Sequence, residues 1–122
     1  MRVAAILAAT GAFAAGSLHA TLTAATHTPK VGARWGYTVH ATAGGKPTAG
    51  RLTAQIIDLI GGKHPVGFGA KKGNVTNVRF VGTFKDFVIW PKSAVGFPLT
   101  FRVTVVAGGV KRVLNYKVTV HA

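Results

Sequence analysis

The residues of this 122-residue chain that could do chemistry are few. Asp58 and Asp86 are its whole acidic complement, and it has no glutamate and no cysteine. Glycoside hydrolysis needs two carboxyl groups flanking a bond, one as acid and one as base or nucleophile. Asp58 and Asp86 would have to supply both roles with no third group to tune them, so they read as surface, turn or backbone-capping residues. Past the N-terminal segment the single serine is Ser93, in Pro91-Lys92-Ser93-Ala94-Val95. It lacks the glycines that let a nucleophile elbow form, and reads as a cap on a short turn.

Two further patterns invite a chemical reading. GFGAKKG (67–73) looks superficially like a phosphate loop, yet it has no G-K-[ST], Lys72 stands where a third glycine belongs, and no helical period follows. A basic loop is the better reading. The histidines, His19, His27, His40, His64 and His121, show no H-x-H, H-x-x-H or H-x-x-x-H spacing. Without cysteine or glutamate they offer no closed zinc site, and no cofactor is expected.

Charge is the most unusual property. The chain carries 15 Lys+Arg and a formal net charge of +13. Such a field attracts polyanions and speeds encounter with them, over a Debye length of about 8 Å at physiological salt. Lys63, Lys71, Lys72, Arg79, Lys111 and Arg112 are the candidate contacts for an anionic partner. The competing reading is that dispersed cations only keep the chain soluble, since Lys71-Lys72 and Lys111-Arg112 are the only adjacent pairs after the N-terminus. Nucleic acid is a poor fit, because single-strand binding wants aromatics along a basic face. Trp35, Tyr37, Phe101 and Tyr116 all fall on the core-facing parity of their strands.

These side chains need elements to hold them. MRVAAILAATGAFAAGSLHA opens with Arg2, continues with an apolar run to about Ala15 and ends in small residues. It reads as a secretory signal peptide over residues 1–20, helical before removal, with candidate cuts after Ala20, Ala24 or Ala25. The mature chain, 21–122, is then one domain outside the cytoplasm, secreted or in the cell envelope. Its pattern is alternation of period two broken by Gly, Pro and Asn, with no sustained helical period. Trp35, Tyr37, Val39 and Ala41 form one buried face. Leu52, Ala54 and Ile56 form another, and the GGKP turn (44–47) predicts that the two runs are antiparallel neighbours. Residues 61–74 read as loop with a short strand near Val66–Phe68, and Val75–Phe80 with Phe84–Trp90 as a hairpin around Gly82. Leu99, Phe101, Val103 and Val105 run to Gly108-Gly109, a strong hairpin signal, and the pattern resumes with Leu114, Tyr116, Val118 and Val120. About seven strands at this spacing predict an all-β antiparallel sandwich.

The segments THTPKVGARW (26–35), GGKPTAGRLT (44–53), GTFKDFVIWP (82–91) and AVGFPLTFRVTV (94–105) together resemble a group of small secreted bacterial immunoglobulin-like proteins. The resemblance covers nearly the whole mature chain. It implies a fibronectin or immunoglobulin-type sandwich and supplies no catalytic residues. Periplasmic copper carriers are also small secreted sandwiches of this kind, and HATL (19–22) is similar to their mature start. Their D-x-H ligand motif is absent, since Asp58 precedes Leu59-Ile60 and Asp86 precedes Phe87-Val88.

The expected function is therefore a non-catalytic interaction module that associates with an anionic envelope polymer or an envelope protein. A copper carrier, or an accessory subunit that adds a strand to a partner's sheet edge, is the alternative. In FKDFVIWP, Phe84, Val88 and Trp90 share the inward parity and Pro91 ends the ladder for want of an N–H. Lys85, Phe87 and Ile89 then face outward as a candidate partner patch.

Overall fold

The computed structural model describes residues 17–68 and 77–122. Strands β1 (Leu18–Ala24), β2 (Arg34–Ala43), β3 (Lys46–Pro47) and β7 (Thr83–Ile89) form one antiparallel sheet. Strands β4 (Ala49–Ile57), β5 (Lys63–Val66), β6 (Val78–Val81), β8 (Pro98–Ala107) and β9 (Val110–Thr119) form the other. The two sheets pack face to face as a sandwich. In the first, β2 is central, with β1 on one flank and β3 and β7 on the other; in the second, β4 and β8 are central.

The alternating runs place the core as the sequence predicts. Trp35, Tyr37, Val39 and Ala41 of β2 meet Leu52, Ala54, Phe101, Val103 and Val105 of the opposite sheet, all buried. Trp35 stands edge-on to both Trp90 and Phe101, with ring centroids 5.3 and 5.2 Å away. These tilted contacts suit the aromatic quadrupoles and add to what burial alone contributes. The Trp35 indole also donates to the Thr26 carbonyl at 2.7 Å, which pins the segment entering β2.

Two expected pairings are not formed. The runs on either side of GGKP lie in opposite sheets: β2 turns at Gly44-Gly45, both at positive φ, and pairs only with the two residues of β3 before the chain crosses over. Pro47 cannot donate to a continuing ladder, so the buried faces of β2 and β4 stack across the core. The run around Gly82 is likewise a crossing and not a hairpin, because β6 pairs with β4 while β7 pairs with β2. Gly82 has φ 71°, and a Cβ there would lie 2.9 Å from Pro47 Cβ. Its N–H donates to Thr48 and its carbonyl accepts from Ala41, so this residue stitches the two crossings together.

The Gly108-Gly109 hairpin forms as expected, with φ of 57° and 79° joining β8 to β9. The described residues hold nine strands, more than the seven expected, because the edges are built from short pieces. The short strand of the middle segment is β5 at Lys63–Val66, just before the expected position. Of the signal-peptide helix expected over residues 1–20, residues 1–16 lie outside the described residues, and Leu18–Ala20 are strand. The candidate cut after Ala20 falls inside β1 and those after Ala24 and Ala25 fall at its end, and β1 pairs with β2 over its full length from Leu18↔Ala43 to Ala24↔Tyr37.

The segment after β1 folds back beside the C-terminal strand. Thr119 N–H donates to His27 O at 2.9 Å, His121 N–H to Pro29 O at 3.0 Å and Val31 N–H to His121 O at 3.0 Å, around a parallel bridge between Lys30 and His121. His27 stacks on Tyr116 with ring centroids 4.0 Å apart.

Candidate functional site

The outer face of the five-stranded sheet carries six of the twelve Lys and Arg side chains among the described residues. Period-two alternation turns Leu52, Phe101 and Val103 into the core, and so turns Arg51 and Arg102 outward. Register then aligns them with their neighbours. Arg79 of β6 pairs with Arg51 of β4, Arg51 with Val106 of β8, and Val106 with Lys111 of β9. At strand spacings of about 4.8 Å this row crosses roughly 14 Å of surface. Two residues short of the other end, Gln55 faces Arg102 and Arg102 faces Asn115; beyond them lie the Lys63–Ile57 and Thr100–Lys117 pairs. Arg51, Arg79, Lys63, Lys111 and Lys117 are exposed, and Arg102 is half-buried.

No carboxylate shares this face, because Asp86 belongs to β7 in the other sheet and Asp58 sits in the turn beyond β4. Neutral amides orient the guanidiniums: Arg51 Nη1 donates to Asn77 Oδ1 and Arg102 Nε to Asn115 Oδ1, both at 2.8 Å. A guanidinium has five N–H donors, so one amide contact fixes its direction without cancelling its charge. A shallow groove of about 510 Å³ opens at the end of the sheet by the Arg79–Arg51 row, with Phe80 and Val106 in its lining. The arrangement can hold repeated anionic groups by charge-assisted hydrogen bonds.

Of the cations singled out in the sequence, Arg79 and Lys111 share one row of this face and Lys63 lies at its opposite end. Arg112 is not on this face, since its parity turns it toward β1, where Nε donates to the Leu18 carbonyl at 3.2 Å. Lys71 and Lys72 lie outside the described residues. Arg51, Arg102 and Lys117 were missed as members of the face. Their alternation with Leu52, Phe101 and Val118 is visible in the sequence, but only the strand register puts them beside the others.

Lys85, Phe87 and Ile89 face outward from β7, an edge of the other sheet. Ile89 is 50% exposed. Phe87 is half-buried, and the Arg34 guanidinium lies 4.3 Å from its ring centroid, a cation–π contact that covers part of the patch. Asp86, with the opposite parity, points inward across from Tyr37. Burial, and then the Asp86 charge, hold the Tyr37 hydroxyl well above the usual phenol range. That hydroxyl and the Trp90 indole N–H are buried with no hydrogen-bond partner among the described residues.

A second concave region lies at one end of the sandwich, an apolar cleft of about 640 Å³ whose lining includes Asp58, His64 and Ser93. His64 Nε2 is 3.0 Å from Asp58 Oδ2. The hydrogen bond from His64 and the Gly62 N–H pull the Asp58 carboxyl below its usual range. Among the described residues no hydrogen bond joins the Ser93 hydroxyl to His64, so the contact that activates a serine nucleophile is missing from this arrangement. Asp58 instead caps the turn, accepting from Ile60 N–H at 3.1 Å and Gly62 N–H at 2.7 Å. No group of three His, Cys, Asp or Glu side chains is placed to share a metal ion among the described residues.

No protein-family model matches the chain, and no curated protein matches it in sequence. Among solved structures, the fold is similar to part of Spo0M, the sporulation control protein of Bacillus subtilis, with a TM-score of 0.50 and 15% sequence identity. The likeness covers 88% of this chain and 50% of Spo0M, so the chain spans about half that protein's length and shares with it a two-sheet all-β architecture.

Proposed function

We propose that this chain is a secreted immunoglobulin-like interaction module that binds an anionic polymer of the cell envelope through the outer face of its five-stranded sheet. The observation that carries the reading is the convergence of Arg51, Arg79, Arg102, Lys63, Lys111 and Lys117 on one carboxylate-free face by strand register. The sequence pattern shared with small secreted immunoglobulin-like proteins supports the export and the domain type. Binding of this kind is strongly salt-dependent, because each neutralised anion releases counterions.

The test compares two variants of equal charge. Arg51→Gln/Arg79→Gln/Lys111→Gln removes charge from the face, and Lys46→Gln/Lys85→Gln/Lys92→Gln removes as much elsewhere. Binding to immobilised teichoic acid and to heparin is followed across a salt series. The face variant is expected to lose at least about tenfold in affinity and roughly one unit of log–log salt slope per lost contact, while the control changes little. Equal losses in both variants, or no binding at low salt, would sink the proposal.

A further inference from the structure

The apolar end of the sandwich breaks the ordinary chemistry of turns. The connection from β4 to β5 runs Asp58-Leu59-Ile60-Gly61-Gly62, and its apex is Leu59 and Ile60, 68% and 94% exposed. Tight turns favour Gly, Asn, Asp, Ser and Pro. Two large aliphatic side chains at an apex gain nothing from folding and remain in water. Across the cleft Phe97 is also 56% exposed. Beneath them the wall is Ile56, Trp90 and Pro91.

The apex is held firmly. Asp58 N–H donates to Gly62 O at 2.9 Å, Gly61 N–H to Asp58 O at 3.1 Å, and the Asp58 carboxylate takes the Ile60 and Gly62 N–H groups as well as His64. The opposite lip is fixed by Phe97 N–H to Ala94 O at 3.3 Å and Gly96 N–H to Val120 O at 2.9 Å. Cations stand behind the apolar tips. Lys63 opens β5 immediately after the turn, Lys92 begins the short 3-10 turn beside Ser93, and Lys117 lines a groove it shares with Leu59. The one carboxylate nearby, Asp58, is engaged by two N–H groups and an imidazole.

From this geometry we infer that the end of the sandwich docks on a bilayer carrying anionic lipids. Leu59, Ile60 and Phe97 enter the boundary between headgroups and acyl chains, and Lys63, Lys92 and Lys117 meet the phosphates. A convex apex with apolar tips and cations set back by a few residues suits the depth of that boundary, which takes apolar side chains about 5–10 Å in. Each cation near an anionic surface raises partitioning about fivefold, so the charge on this end complements an anionic leaflet and gives no advantage on a zwitterionic one. This reading shares Lys63 and Lys117, at one end of the cationic sheet face, with the polymer-binding surface, but it rests on the apolar apex of Leu59, Ile60 and Phe97, which that surface does not use.

The chain contains no cysteine, so a single introduced thiol can be labelled uniquely. Ile60→Cys and, as a reference on the outer sheet face, Val113→Cys are labelled with an environment-sensitive fluorophore in the full chain. They are mixed with vesicles of equal phosphatidylglycerol and phosphatidylcholine, or of phosphatidylcholine alone. On the anionic vesicles the dye at position 60 is expected to shift to the blue and become shielded from an aqueous quencher, while the dye at 113 stays in water. Partitioning is expected to fall at least about tenfold on phosphatidylcholine alone, and similarly for Leu59→Ser/Ile60→Ser with its melting temperature unchanged. A dye at 60 that stays in water on bound protein, burial of the dye at 113, equal binding to both vesicle types, or no association with anionic vesicles would each overturn the inference.

Discussion

Starting the chain at Thr21, the boundary the N-terminal sequence suggests, removes Leu18, His19 and Ala20 from the head of β1. Leu18 is 5% exposed and belongs to the core, and its carbonyl accepts from Arg112 Nε. Its burial contributes about 2–3 kcal/mol, which for a domain this size corresponds to roughly 10–20 °C in melting temperature. A start at Thr26 also removes Leu22 and Ala24, which pack against the same core. That brings the apolar loss to about 4–5 kcal/mol, the order of the whole stability of a small domain. It also bares the flank of β2 as an unpaired edge, open to self-association. Chemical denaturation of chains starting at Ser17, Thr21 and Thr26 reads these differences directly. The expected order is full stability, a loss of about 2–3 kcal/mol, and failure to fold or aggregation; Leu18→Ala in the full chain costs about 2–4 kcal/mol. In an exported and trimmed protein, N-terminal sequencing is then expected to find a first residue at or before Ser17. Equal stability of the Ser17 and Thr21 chains would refute the reasoning.

Gly82→Ala is expected to destabilise by about 1–3 kcal/mol, seen in thermal melts, because φ of 71° and a methyl against Pro47 both oppose it. Tyr37→Phe is expected to leave the melting temperature unchanged or raise it slightly, since the hydroxyl it removes is buried without a partner among the described residues; a drop of more than a few degrees would contradict this. The Asp58 carboxyl is held below its usual range by His64 and the turn N–H groups, so its folded-state pKa is lower than its unfolded one. Its contribution is present above the unfolded value and is lost as pH falls through the folded one, so an NMR titration should place its midpoint below that of Asp58 in the denatured chain. Asp58→Asn should speed amide exchange at Ile60 and Gly62 while leaving the β8–β9 amides protected.

What was legible in the sequence was the parity of the strands. Trp35, Tyr37, Val39 and Ala41, and Phe101, Val103 and Val105, alternate cleanly because each strand has one wet and one dry face. Lys85, Phe87 and Ile89 were placed on the outward parity of β7 for the same reason. What parity cannot give is the sheet a strand joins. The turns at Gly44-Gly45 and Gly82 look like hairpin closures, yet the first closes on a two-residue strand that Pro47 ends, and the second crosses between sheets. The cationic face was half visible for this reason: Lys63, Arg79 and Lys111 were singled out as charges, while Arg51, Arg102 and Lys117 join them only through register. The apolar apex escaped because Leu59-Ile60 lies in a stretch read for its glycines and for Asp58.

The hydrogen bonds between residues 27–31 and 119–121 have a mechanical meaning. They join two segments running in the same direction, so tension drawn along the C-terminal segment loads them together in shear. A hairpin opened from its end gives way one bond at a time at low force; a parallel set must yield as a group, and its resistance is set by the unfolding rate. The return of the segment after β1 to the last strand therefore ties residues 119–121 to residues 27–31 through bonds that share a load instead of opening in turn.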